Sequence, residues 1–251
     1  MTVLFLILWL WQQWPDGRLR LVFCDVGQGD ATLVVFGSFQ ALIDTGPSEK
    51  KLFECLGKQM PFWDRTVDLV FISHPQKDHN GALDGLKQKY KIGKILEKAT
   101  VNDVYRYKDL YFDILVGGVS DEKVLGKSSS DENEDSMVLY VRYFDFSALF
   151  TADIGEPTEL ALLERRVLKK TSVLKVPHHG SKFSSTIPFL EGLRPEVSII
   201  SVGAKNSYGH PHSDTLMRLV GVGSKVFRTD ISGDIEVVYD EGRLKVFTDG
   251  Y

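Results

Sequence analysis

Ile72-Ser73-His74-Pro75-Gln76-Lys77-Asp78-His79-Asn80-Gly81 stands at the end of the apolar run Val67–Ser73. A short continuous apolar run reads as a buried strand, so two histidines and an aspartate are carried at a strand's C-terminal end. Alternate residues of an extended segment share a side. His74 and Gln76 therefore point together, whereas Asp78 and His79 diverge. As metal ligands, His74 and Gln76 serve one ion, and Asp78 and His79 grip a second. As plain structure, the same stretch is a polar loop whose Asp78 caps a helix predicted over Ala82–Tyr90.

Two later stretches repeat the pattern of polar ligands after an apolar run: Thr151-Ala152-Asp153-Ile154-Gly155, then Pro177-His178-His179-Gly180-Ser181. All six histidines fall in tight pairs, the third being His210/His212. The two oxygens of Asp153 can bridge two ions, and His178 would cap the second with a neutral imidazole nitrogen. His179 reads as structural or as support behind the ligands. Ser181 and Lys182 are candidates for holding a phosphate, Lys182 being equally readable as a solvated lysine. His210 is a candidate for binding phosphate or protonating a leaving oxygen, and His212 is placed near the cap of the next helix. Asp44, in I-D-T-G, either orients a ligand histidine or is a turn aspartate. Asp25 and Asp30 flank a Gly-Gln-Gly turn and either approach the metals or fix the turn.

The 251 residues, 43% of them hydrophobic and 25% charged, suffice for one sizeable core. A mean hydropathy of -0.10 excludes a polytopic membrane protein. The net charge of -4 argues against a broadly basic nucleic-acid binder. The C-terminal third is nevertheless net positive, and part of the acidity sits in Asp121–Asp135, read as a solvated loop. Cys24 and Cys55 are too few for a disulfide framework; they could pair with each other, and free thiols are the expectation. Residues 1–17 are a very apolar start rich in tryptophan, too short to span a bilayer on their own. They are read as the tail of a transmembrane helix or a short anchor, the alternative being a buried strand. Residues 18–251 form the remaining domain.

Past Gly17 the pattern is strand-rich, with strands expected at Leu19–Cys24, Thr32–Phe36 and Phe39–Ile43 and a helix at Glu49–Gln59. The second half repeats strands and helices in the same manner. This order predicts an α+β fold in which sheet packs on sheet with helices outside.

The motifs S-H-P-Q-K-D-H-N-G, I-D-T-G, T-A-D-I-G and P-H-H-G-S, in that order, resemble the metallo-β-lactamase superfamily. More narrowly, F-C-D-V-G-Q-G-D-A-T (Phe23–Thr32), P-H-H-G-S and Y-G-H-P-H (Tyr208–His212) resemble the C-terminal domain of the ComEC family of DNA-uptake channels. The resemblance implies an αββα four-layer sandwich with mostly antiparallel sheets and a metal site at one edge. It also implies metal-activated water for hydrolysis, and a nuclease role during competence-related uptake with DNA as partner, single-stranded or the strand being degraded. With the apolar start, it implies a membrane-associated domain on the extracytoplasmic face, next to a membrane channel domain of the same system.

Two positions depart from the superfamily pattern. Gln76 replaces the second histidine of the loop, and Asp135-Ser136 stands where a further histidine is usual. Oxygen-rich, histidine-poor sites favour Mn²⁺ or Mg²⁺ over Zn²⁺. The expectation is one firm ion on Asp78, His79, Asp153 and His178, and a weaker one on His74, Asp153 and Gln76, with Mn²⁺ first. Catalytic roles fall to Asp78 and His210. The competing functions are a small-molecule or wall-polymer phosphodiesterase of the phosphorylcholine-esterase kind, and a degenerate metal-binding scaffold of a channel.

Overall fold

The computed structural model describes residues 16–117, 133 and 136–249. The apolar segment read as an anchor and nearly all of the acidic 121–135 stretch lie outside the described residues. Among the described residues, no helix is long and apolar enough to cross a membrane.

Among the described residues, two seven-stranded mixed sheets face each other. The first is built from β1 (Leu19–Phe23), β2 (Thr32–Phe36), β3 (Phe39–Ile43), β4 (Thr66–Phe71), β5 (Lys91–Leu96), β13 (Ile235–Asp240) and β14 (Arg243–Thr248), in the order β14-β13-β1-β2-β3-β4-β5. The second contains β6 (Val104–Tyr107), β7 (Leu110–Val116), β8 (Val138–Tyr143), β9 (Phe146–Phe150), β10 (Val173–Lys175), β11 (Val197–Ile200) and β12 (Lys225–Arg228), in reverse chain order from β12 to β6. Among the described strands, seven pairings are antiparallel and five parallel. The antiparallel majority is narrow because β3-β4-β5 and β9-β10-β11-β12 are joined by helical crossovers, which make parallel neighbours.

Side-chain alternation builds the layers. On β1, Leu19, Leu21 and Phe23 enter the core between the sheets, and Val22 turns to the outer face of the first sheet. That outer face is covered by α1 (Glu49–Gln59) and α3 (Leu83–Lys89), with the short α2 (Lys77–Asn80) between them in sequence. The outer face of the second sheet is covered by α4 (Glu156–Glu164), α5 (Ile187–Leu193) and α6 (Ser213–Gly221). Three separate apolar clusters thus fill the three interfaces of an αββα sandwich. Each fully buried Leu or Phe contributes roughly 1.5–3 kcal/mol.

Helix α1 shows why one face is buried. Ser48 caps it by accepting the Lys51 N–H, and Leu52, Cys55 and Leu56 fall on the inward stripe. Cys55 meets Cys24, just beyond β1, and the two form a buried disulfide with a Cα–Cα distance of 5.8 Å. This corrects the expectation of free thiols. Two cysteines distant in sequence reveal nothing of their pairing until the helix is laid across the sheet.

Parallel strands end at a common edge, where loops after several strands converge. The loops after β3, β4, β9, β10 and β11 carry Asp44, His74–His79, Asp153, His178–His179 and Ser201 respectively. This edge positions the candidate site.

Candidate metal centre

Asp44 organises the first loop. Its Oδ1 accepts the Ser73 N–H at 2.7 Å, and its Oδ2 accepts the Ser73 hydroxyl at 2.9 Å and the His79 Nδ1–H at 2.8 Å. His79 is fully buried on α2, and its Nε2 faces Asp153 Oδ1 at 3.3 Å. The Gly-Gln-Gly turn clamps the same loop from the other side, because the Asp30 N–H donates to the Asp78 carbonyl at 3.0 Å. Gly29 permits this approach: at its φ of +145°, a Cβ would lie 2.2 Å from the Asp78 carbonyl oxygen.

The second-sheet loops supply the opposing groups. His178 and His179 both adopt left-handed backbone angles, with φ of 48° and 52°. Such angles cost free energy in non-glycine residues and cluster at functional sites. His179 donates Nδ1–H to the Ser201 carbonyl at 2.8 Å, leaving Nε2 directed at Asp78 Oδ2 (3.4 Å) and Asp153 Oδ2 (3.5 Å). The expectation placed His178 among the ligands and His179 behind them. The geometry puts His179 at the carboxylates and His178 at the half-buried rim, its Nε2 4.0 Å from Asp153. Strand alternation gives no guide to side-chain direction in a left-handed turn.

Asp78, His79, Asp153 and His179 offer ligand atoms all within 4.8 Å of one another. His74 packs its ring 4.1 Å from His79, with Nδ1 bonded to the Ser73 hydroxyl. Burial and the neighbouring His79 push His74 below the ordinary imidazole pKa. The Nε2 atoms of His74, His79 and His179 and Oδ1 of Asp153 are buried without a hydrogen-bond partner. Unpartnered buried polar atoms are costly, and a divalent cation satisfies such a set of imidazole and carboxylate donors. The residues present fit a metal ion.

The electrostatics agree. Against the cost of full burial, the Asp153 and Asp44 carboxylates raise His79 to about 10. Despite burial, Asp153 and Asp30 likewise hold His179 well above the ordinary imidazole value. Burial opposes ionisation of Asp153, yet His179 and His79 hold its carboxyl well below the usual range.

Asp30 is buried and sits 3.4 Å from His179 Nδ1 and 3.8 Å from His79 Nδ1. Its charge is met by Lys175, a fully enclosed lysine at the end of β10. Lys175 was not among the residues expected at the site, its only local signal being a charge inside the apolar run Val173–Val176. Asp25 lies elsewhere, paired with Lys51 at 3.0 Å and accepting the Gly27 N–H, so it fixes the turn. The Gln76 amide donates to Asn133 at 2.7 Å. Ser181 is buried, its hydroxyl accepting the Phe183 N–H and its carbonyl bonded by Thr215, so it braces its loop. Lys182 reaches over the Phe183 ring at 4.8 Å. His210 lies 5.7 Å from His178 ring to ring, and burial with the neighbouring histidines lowers it to about 4. At neutral pH it is a hydrogen-bonding group and not a charged acid. His212 caps α6 by accepting the Asp214 N–H at 3.3 Å.

The chain is similar to known proteins in sequence and in fold. The Metallo-beta-lactamase superfamily profile matches residues 24–205. The chain is 28% identical to ComE operon protein 3 of Bacillus subtilis (strain 168), over 98% of this chain and 36% of that protein. It is 31% identical to Recombination protein 2 of Haemophilus influenzae, over 88% of this chain and 29% of that protein. The chain thus spans about a third of the length of these relatives. Among solved structures, the metallo-beta-lactamase fold protein YhfI from Bacillus subtilis superposes with a TM-score of 0.56 at 11% identity, over 87% of this chain and 99% of that one. The chain belongs to the metallo-β-lactamase superfamily, as a domain of the ComEC family.

Proposed function

We propose that the chain is a metal-dependent phosphodiesterase that cleaves DNA as part of competence-related uptake. The observation that carries this reading is the convergence of unpartnered buried His79 and His179 Nε2 atoms on the Asp78 and Asp153 carboxylates. Asp78, His79, Asp153 and His179 would hold a divalent ion, and His74 stands ready to extend the set. Bound there, the ion supplies Lewis acidity toward a phosphoryl oxygen and lowers the pKa of water. Two carboxylates beside two imidazoles suit Zn²⁺ as well as Mn²⁺.

The chain's own residues do the rest. Asp44 holds the proton on His79 Nδ1, and the Ser201 carbonyl holds it on His179 Nδ1, so both Nε2 lone pairs face inward. Lys175 neutralises Asp30 and keeps the carboxylate excess at the centre from growing. His210, neutral and at the rim, can hydrogen-bond a phosphate oxygen. The Cys24–Cys55 disulfide supports placement of the domain outside the cytoplasm, where disulfides persist. Similarity to Competence protein ComA of Neisseria gonorrhoeae supports a competence setting for the domain, and DNA as substrate with a membrane channel domain as neighbour is the reading that follows from the ComEC resemblance.

Incubating the purified chain with plasmid and single-stranded DNA plus Mn²⁺, Mg²⁺ or Zn²⁺ tests the reading. Cleavage that is lost in EDTA and in Asp78→Ala supports it. Cleavage of small bis-aryl phosphodiesters alone would transfer the site to the small-substrate alternative, and metal binding without cleavage of either substrate would favour the scaffold.

A further inference from the structure

Tyr208 is 70% exposed, yet its ring lies parallel on His210, at 5.9 Å between centroids and 14° between planes. His210 in turn meets His178, whose Nε2 is 4.0 Å from Asp153. A continuous line of rings therefore leads from solvent to the cluster of carboxylates. A lone exposed tyrosine is ordinary. Here the loop that carries it is pinned by one side chain: Asn206 Oδ1 accepts the N–H groups of Tyr208 (3.2 Å) and His210 (3.0 Å), and its Nδ2 donates to the carbonyls of Gly203 (2.9 Å) and His210 (2.8 Å). The adjoining loop is tied to it by the His212 N–H on the Gly180 carbonyl. That loop presents Phe183, 71% exposed, with the Lys182 ammonium 4.8 Å above its ring. Arg218 braces this second loop through the carbonyls of Lys182 and Ser184.

Exposed flat rings held in place beside cations are what a single strand uses, since every base offers a face to stack while its phosphates seek positive charge. A duplex keeps its bases stacked on one another and has no free face to offer. We propose that Tyr208, stacked on His210 at the rim of the metal centre, is a platform for a base of single-stranded nucleic acid, with Phe183 and Lys182 receiving a neighbouring nucleotide. This rests on the phosphodiesterase reading for the same site and names the side chains that would receive the strand.

The test is fluorescence anisotropy of the whole chain with two labelled oligomers of equal length and charge. One is oligothymidylate and the other carries abasic sites throughout. Ca²⁺ replaces Mn²⁺, and intact oligomer is verified on a gel. The wild type is expected to bind the base-carrying strand about tenfold tighter. Tyr208→Ala should bring that ratio close to one while leaving the abasic affinity in place, and Tyr208→Trp should retain the preference. A wild-type ratio near one, no binding of either strand, or equal weakening of both by Tyr208→Ala overturns the proposal. Cleavage of oligothymidylate with Mn²⁺ is scored separately. Cleavage without base-dependent binding refutes the platform alone, and base-dependent binding without cleavage refutes the phosphodiesterase reading alone.

Discussion

Asp44 Oδ2 accepts a 2.8 Å hydrogen bond from His79 Nδ1, and the other oxygen of the same carboxylate accepts the Ser73 N–H at 2.7 Å. One buried side chain thereby sets both the tautomer of an imidazole and the path of the loop that carries it. Removing such a support typically costs about 10–100-fold in metal affinity. Asp44→Ala is expected to weaken Mn²⁺ binding by that range in titration calorimetry. Asp25→Ala should leave the affinity unchanged, because Asp25 is engaged by Lys51 and Gly27. Equal affinity in Asp44→Ala and wild type would refute this role.

The histidine pair separates by direction. His179→Ala should lower Mn²⁺ affinity by about a hundredfold or more and His178→Ala by less than about tenfold, on the scale of losing a ligand against losing a neighbour. The basis is that His179 Nε2 lies 3.4–3.5 Å from two carboxylates, whereas His178 reaches one at 4.0 Å. The reverse order would return His178 to the ligand set.

Lys175 and Asp30 form a buried ion pair beneath the centre. Breaking one partner of such a pair leaves an uncompensated buried charge and costs about 3–5 kcal/mol. Urea denaturation of Lys175→Met should show a loss of that order. The double variant Lys175→Met with Asp30→Asn should recover a substantial part of it. A single variant as stable as wild type would show that Asp30 does not depend on the lysine.

The Cys24–Cys55 bridge closes a loop of sequence separation 31 and pins α1 to the first sheet. Replacing both cysteines by alanine should lower the unfolding free energy by roughly 2–4 kcal/mol, with unchanged stability in reductant relative to oxidant for the variant. A wild type insensitive to reductant under denaturing titration would contradict a contribution from the bridge.

The ligand loops were legible because an apolar run followed by His and Asp marks a strand end, and strand ends share an edge in this fold. Helix Glu49–Gln59 was equally legible, since its stripe and its Ser48 cap are local. Three strands between Lys91 and Val116 escaped notice. β5 is largely exposed and interrupted by Gly93, β6 has four residues, and the alternation of Leu110, Phe112, Ile114 and Val116 is hidden by Tyr111 and Leu115 between them. Lys175 was illegible because its partner Asp30 comes from the other sheet. The choice between His178 and His179 depends on left-handed backbone angles that no residue pattern announces.

The most direct measurement of the central claim is single-turnover cleavage of an end-labelled single-stranded oligomer by the purified chain at stoichiometric Mn²⁺, set against Asp153→Asn. Asp153 faces both His79 and His179. The account predicts metal-dependent product with the wild type and a loss of at least about a hundredfold in rate with the variant, on the scale of transition-state charge stabilisation removed from such a site. Equal rates with and without Mn²⁺, or a variant that cleaves as fast as wild type, would contradict it.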